Sequence, residues 1–206
     1  MPSRWYTEKK QEYYYRISKQ KGYRARSAFK LLQIQKKYHV LKKGDTVIDL
    51  GAAPGGWSQV TKEIIGDGKV IAVDKEVFDP LPGVLFIEGD ITKRTTIDKI
   101  QQEIQNGIDV VLSDLSPNIS GNYSMDHAKS VWLCLYALEI AQNVLKKNGC
   151  FICKIFEGET LQEFVDETTK RFNQTKLFTP KATRKHSSET YVIGKGFKGF
   201  LEPLIL

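Results

Sequence analysis

The sequence predicts an α/β fold, a mostly parallel seven-stranded sheet with helices on both faces. Three observations point there. Short apolar runs rich in Val and Ile alternate with longer segments of helical periodicity from residue 46 onward. Those runs are apolar almost throughout, as strands covered on both faces are. No internal repeat, low-complexity tract or linker divides the chain. Residues 1–206 therefore read as one domain, with 1–43 as a basic, aromatic arm and helix.

The elements follow in order. SAFKLLQIQKKYHV reads as a helix capped by Ser27, with Ala28, Leu31, Leu32 and Tyr38 on its apolar face. TVIDL (46–50) is a first strand, and the helix after Gly55–Gly56 runs to about Ile65. GKVIAVD is a second strand ending in Asp74, and VLFIEGD a third ending in Asp90. A helix over 95–105 leads to DVVLSD, a fourth strand ending in Asp114. A long helix over 125–147 is stopped by Asn148–Gly149. CFICKIF is a fifth strand carrying Lys154, and 159–172 is helical. KLFTP and ETYVIGKG are short closing strands.

Charge is unevenly placed. Residues 1–43 hold thirteen Lys or Arg against two Glu, whereas the rest of the chain holds eighteen against twenty-two acidic residues. The same segment holds Trp5 and six of the nine tyrosines, Tyr6, Tyr13, Tyr14, Tyr15, Tyr23 and Tyr38. Cations neutralise phosphates and aromatic faces stack on unpaired bases, so this arm points to nucleic acid. A solvated amphipathic leader is the plainer alternative.

Other classes are excluded. No apolar stretch is long enough to span a membrane, and the N-terminus lacks the apolar core of a secretory signal, so a cytoplasmic protein is expected. Cys134, Cys150 and Cys153 are too few for a disulfide framework. Cys150 and Cys153 match C-x-x-C, but positions three apart on a strand face opposite sides. His39, His127 and His186 have no metal-binding spacing, and no metal is expected.

In an open parallel sheet, ligands bind at the carboxyl ends of the strands. Asp74, Asp90, Asp114 and Lys154 each lie at or near such an end. An antiparallel final strand would bring Glu189 to the same rim. The first strand leads into Gly51-Ala52-Ala53-Pro54-Gly55-Gly56, a loop almost without side chains. It lacks the G-K-[ST] ending of a P-loop and breaks the G-x-G-x-x-G spacing of a dinucleotide site. Pro54 also lacks the N–H that a pyrophosphate would take. A nucleoside without phosphates tolerates that loss. Asp74 can accept from a ribose diol and Asp90 from an adenine amino group, which favours S-adenosylmethionine over a nicotinamide cofactor.

The run VIDLGAAPGGWSQV resembles the cofactor motif of the FtsJ-type (RrmJ) ribose 2′-O-methyltransferases. RARSAFKL, VVLSDLSPNISG, CKIFEGE and SSETYVI resemble that family's other blocks in the same order, from about Tyr23 to Gly196. The resemblance implies a Rossmann-like class I S-adenosylmethionine-dependent methyltransferase fold with an antiparallel closing strand. It also implies a catalytic tetrad of Lys30, Asp114, Lys154 and Glu189. Cofactor contacts carried over fall on Gly55, Trp57, Asp74, Asp90 and Asp114, with Gly51, Pro54 and Gly56 completing the loop. On a helical wheel Lys30 points away from the apolar face, so its residues alone read as a solvated lysine; the resemblance reverses that. For Lys154 the plainer reading is a structural ion pair with Asp114 or Glu189.

The implied reaction is methylation of an RNA ribose 2′-hydroxyl, with Lys154 as general base or orienting group. The full-length resemblance and short arm are most similar to the ribosomal RNA enzymes, implying RNA binding by the arm and a uridine of large-subunit RNA, within the subunit or free, as substrate; for the oligomeric state a monomer is favoured. A transfer RNA anticodon loop, a messenger RNA cap, or an inactive RNA-binding relative are the alternatives. The apolar tail GFLEPLIL is expected to pack against the body.

Overall fold

The structure is a computed structural model that describes residues 13–184 and 186–204. The first part of the expected arm, with Trp5 and Tyr6, lies outside the described residues. A helical segment over 13–20 is followed by turns that lead into α1 (Ala28–Tyr38). Then come β1 (Thr46–Leu50), α2 (Gly56–Ile65), β2 (Lys69–Asp74), β3 (Val84–Glu88), α3 (Arg94–Glu103) and β4 (Ile108–Ser113). The long α4 (Tyr123–Val144) precedes β5 (Leu145–Phe156), α5 (Leu161–Arg171), β6 (Phe172–Phe178) and β7 (Glu189–Phe197).

The seven strands lie in the order β3-β2-β1-β4-β5-β7-β6. The pairs among β1 to β5 are parallel, and β7 is antiparallel to both its neighbours. The order reverses between β1 and β4, so the chain leaves these two central strands in opposite directions and opens a crevice at their carboxyl ends. β7 begins on that rim, as the sequence predicts, because Glu189 pairs with Phe156 at the end of β5.

Alternate strand residues feed two cores. Ile48, Leu50, Val111 and Cys153 pack under α3, α4 and α5, while Val47, Val110, Leu112 and Ile152 pack under α1 and α2. Cys150 and Cys153 thus lie on opposite faces. Among the described residues no helix is long and apolar enough to cross a membrane.

Three local expectations change. Ser27 is not a capping residue: its own backbone is helical, its side chain makes no cap bond, and its carbonyl accepts from Trp57 Nε1 at 2.9 Å. The long helix ends at Val144, not 147, because Leu145 is extended and already pairs with Ile108. Lys146 leaves the helix to bind both oxygens of Asp109 at 2.9 Å, and Asn148, at φ 68°, forms an irregularity inside β5. β6 starts directly from α5 at Phe172, whose buried ring packs against Phe151 and Phe197, rather than at Lys176. The tail does pack back through Leu204, whose amide donates to Glu139 Oε2 at 3.1 Å.

Candidate functional site

The glycine loop leaves β1 at Leu50 and enters α2 at Gly56. Gly51 (φ 78°) and Gly55 (φ 102°) take left-handed conformations that a side chain would strain. A Cβ on Gly51 would lie 3.0 Å from the main chain of Leu115, and one on Gly55 3.0 Å from Leu81 and 3.1 Å from Phe78. Part of the room left by the missing side chains is therefore filled by the protein itself. Arg24 fastens that cover. Its guanidinium donates to the carbonyls of Asp79, Pro80 (2.8 Å) and Pro54 (3.4 Å), and lies 5.8 Å from the Phe78 ring centre. The Ala53–Pro54 peptide is cis. The amides of Gly56 and Trp57, first in α2, have no partner within the helix and remain for a ligand. The Trp57 indole does not: it is buried, stacks on Tyr191 with centroids 5.6 Å apart, and ties α2 to Ser27.

Asp74 ends β2 and braces the loop. Its Oδ2 accepts from the Ala53 amide and its Oδ1 from the Glu76 amide, both at 2.9 Å. A carboxylate has about four lone-pair sites, so two remain for a diol. Asp90 lies two residues beyond β3, where its Oδ1 accepts from the Thr92 amide (3.0 Å) and hydroxyl (2.8 Å). Burial pushes its carboxyl up, but the Thr92 hydrogen bonds and the charges of Lys75 and Lys93 together bring it below the ordinary range. It stands ionised as an acceptor, with Oδ2 free of these bonds.

The four tetrad positions meet as two ion pairs. Lys154 Nζ lies 3.3 Å from Asp114 Oδ1 and donates to the Asp114 carbonyl at 2.7 Å. Lys30 Nζ lies 2.5 Å from Glu189 Oε1, out of line for a hydrogen bond, so that buried oxygen keeps no aligned donor. Both lysines are only 6% exposed. The helical-wheel reading of Lys30 as solvated is thus wrong: α1 is also covered on the side where β7 brings Glu189.

Several residues at the site escaped the sequence reading. Tyr191, opposite Lys154 in the β5–β7 register, donates its hydroxyl to Asp114 Oδ1 at 2.9 Å. Burial, then the charges of Asp114 and Glu189, push its phenol well above the usual range, so it stays a donor. Asp49, in the middle of the apolar run VIDL, is fully buried and accepts from Ser58 Oγ at 2.6 Å. Arg26 is half-buried, and its guanidinium is pushed down by burial and by nearby Arg184, with Glu189 opposing. The available signals were a carboxylate inside a strand core and an aromatic two places after Glu189. Among the described residues six buried side-chain oxygens lack an aligned hydrogen-bond partner; two of them, Asp49 Oδ1 and Ser113 Oγ, stand near rim ends of strands, and a third, Glu189 Oε1, is held by the Lys30 ammonium. Such atoms carry a cost that a polar ligand would relieve. A separate groove of about 870 Å³, between α4, α5 and residues 201–204, shares none of these residues.

The profile of the FtsJ-like methyltransferases matches residues 23–197, the whole stretch that forms the sheet, the loop and both ion pairs. The chain belongs to the FtsJ-like methyltransferase family. It is similar to a ribosomal RNA large subunit methyltransferase E from Methanocella arvoryzae, with 50% identity over 92% of this chain and 73% of the relative. One of the same name from Hahella chejuensis is 43% identical over 96% of this chain and 97% of its own. A crystal structure of a ribosomal RNA methyltransferase from Plasmodium falciparum superposes with a TM-score of 0.78 at 31% identity, covering 86% of this chain and all of that one. As an FtsJ-like methyltransferase the protein uses S-adenosylmethionine. The rim fits that cofactor: helix-first amides at 56 and 57 and acceptors at Asp74 and Asp90.

Proposed function

We propose that this FtsJ-like enzyme methylates the ribose 2′-hydroxyl of a uridine in large-subunit ribosomal RNA. The observation that carries the reading is the pair of buried ammonium–carboxylate couples, Lys154–Asp114 and Lys30–Glu189, on the rim that holds the cofactor loop. When bound, S-adenosylmethionine supplies a methyl group already activated on a sulfonium. The chain must then do two things, remove or direct the hydroxyl proton and hold the oxygen in line. Lys154 Nζ has the position for the first, fixed by the carboxylate and carbonyl of Asp114. Tyr191 holds the same carboxylate from the other side. Glu189 holds the Lys30 ammonium in the same way.

RNA is proposed to approach along the basic arm. Tyr13 and Tyr15 are about half exposed and available for stacking, whereas Tyr14, Tyr23 and Tyr38 pack on Phe29 and Phe178. Arg26 stands near both Arg184 and Glu189, and the two guanidiniums together suit a phosphate. The names of the relatives favour ribosomal RNA over a transfer RNA or a cap. Lys154→Ala tests the chemistry. Single-turnover methyl transfer to large-subunit RNA should fall at least about 100-fold while cofactor affinity holds. A near wild-type rate would remove Lys154 from the mechanism.

A further inference from the structure

β5 runs three residues past β4. Their pairing ends at Ser113 with Cys153, whereas β7 stays in register with β5 to Phe156. Main-chain groups of alternate residues in a strand point to the same edge. Lys154 and Phe156 therefore turn polar backbone towards the space that β4 no longer fills, where buried groups need other partners.

One face of α4 supplies them. His127, Ser130 and Cys134 recur at helical spacing on that face, and all three are buried. Cys134 Sγ donates to the Lys154 carbonyl at 3.0 Å. The Phe156 amide donates to Ser130 Oγ at 3.0 Å, and the Phe156 carbonyl lies 2.9 Å from His127 Nδ1. A carbonyl only accepts, so Nδ1 carries the proton and Nε2 is the acceptor. Nε2 duly receives the Thr160 amide at 3.2 Å and faces the Thr160 hydroxyl at 2.9 Å. The chain turns so closely over the ring that a Cβ on Gly158 would lie 2.3 Å from His127 Cγ. Tyr123 adds a hydroxyl bond to the Glu157 carbonyl at 2.6 Å. The preceding residue, Asp126, closes the segment after β4 by accepting from Ser120 and Gly121.

We propose that His127 and Ser130 are positioning residues for methyl transfer: they replace the missing β4 residues at the tip of β5 and so fix where Lys154 Nζ points. The inference rests on the proposed role of Lys154. A displacement of about 1 Å at a reacting group costs about 100-fold in rate, which sets the scale of the test.

The test measures kcat and both KM values for the full chain with large-subunit RNA and S-adenosylmethionine, with folding followed by thermal melting. His127→Ala is expected to lower kcat by about 30- to 100-fold and to leave both KM values within about twofold. His127→Gln, whose amide can donate to Phe156 and accept from Thr160, should recover kcat to within about fivefold of wild type. Ser130→Ala, a smaller change, should lower kcat about tenfold and covers the case in which His127→Ala does not fold. Wild-type kcat in a folded His127→Ala or in Ser130→Ala overturns the inference, as does a loss confined to KM or one that His127→Gln does not repair. Lys154→Ala measured alongside separates the two proposals. If it is inactive while the α4 variants match wild type, only the positioning role fails; if it is active, the reading of Lys154 itself fails.

Discussion

Replacing Asp49 by asparagine isolates an electrostatic cost held at the centre of the sheet. Asp49 is fully buried, with one bond from Ser58 and an Oδ1 that has no partner. Burial raises its carboxyl most; the Ser58 bonds oppose this, and the charges of Asp114 and Asp74 add to it, leaving it at about 7 instead of 3.8. Unfolded, the same carboxyl ionises near its ordinary value, so between the two values folding takes up a proton. The stability tied to that proton is whole below 3.8 and is lost as pH rises through 7. At about 1.4 kcal/mol per pH unit, the span amounts to about 4 kcal/mol. Asparagine cannot ionise, yet it keeps an acceptor for Ser58, so it removes the slope and retains the shape.

Urea unfolding of both proteins from about pH 5 to pH 8.5 measures the difference directly, with other titrating groups cancelling. Asp49→Asn should gain on wild type by about 3 kcal/mol between pH 5 and 7 and then hold that gain. Parallel stability curves across the range would mean that Asp49 is ionised throughout and would refute the reasoning.

Two further outcomes are expected. Tyr191→Phe removes only the hydroxyl that Asp114 accepts, so stability should fall by about 1 kcal/mol and kcat by about tenfold, as measured by melting and single-turnover transfer; an unchanged rate would leave the Tyr191–Asp114 bond a packing feature. RNA binding should weaken steeply with salt, and removing both Arg26 and Arg184 should lower the slope of log K against log salt by about 1 to 2. An unaltered slope would place the phosphates elsewhere.

The parallel α/β layering was legible because most strands are short apolar runs separated by helical segments, several of them closed by a polar residue at the rim. Asp74, Asp114 and Lys154 could be placed from that pattern alone. The limits of legibility are equally physical. Lys30 sits on the wrong side of its helix by local pattern, and only its pairing with Glu189, far along the chain, makes it a buried residue. Asp49 was hidden because one carboxylate does not break the apolar reading of VIDL. The end of α4 was misplaced because Leu145 continues the helical periodicity, while its pairing with Ile108 and the attraction of Lys146 to Asp109 are tertiary. That the Trp57 ring stacks on Tyr191, leaving only its main-chain amide towards the loop, is likewise tertiary.

The most direct test incubates the full chain with S-adenosylmethionine carrying an isotopic methyl group and with large-subunit ribosomal RNA, free and in subunits. The RNA is then digested to nucleosides and the products are separated by mass. Labelled 2′-O-methyluridine from the large-subunit RNA is the predicted product. Label found only on base carbons or nitrogens, or none transferred while the cofactor is bound, would contradict a site built to activate a sugar hydroxyl.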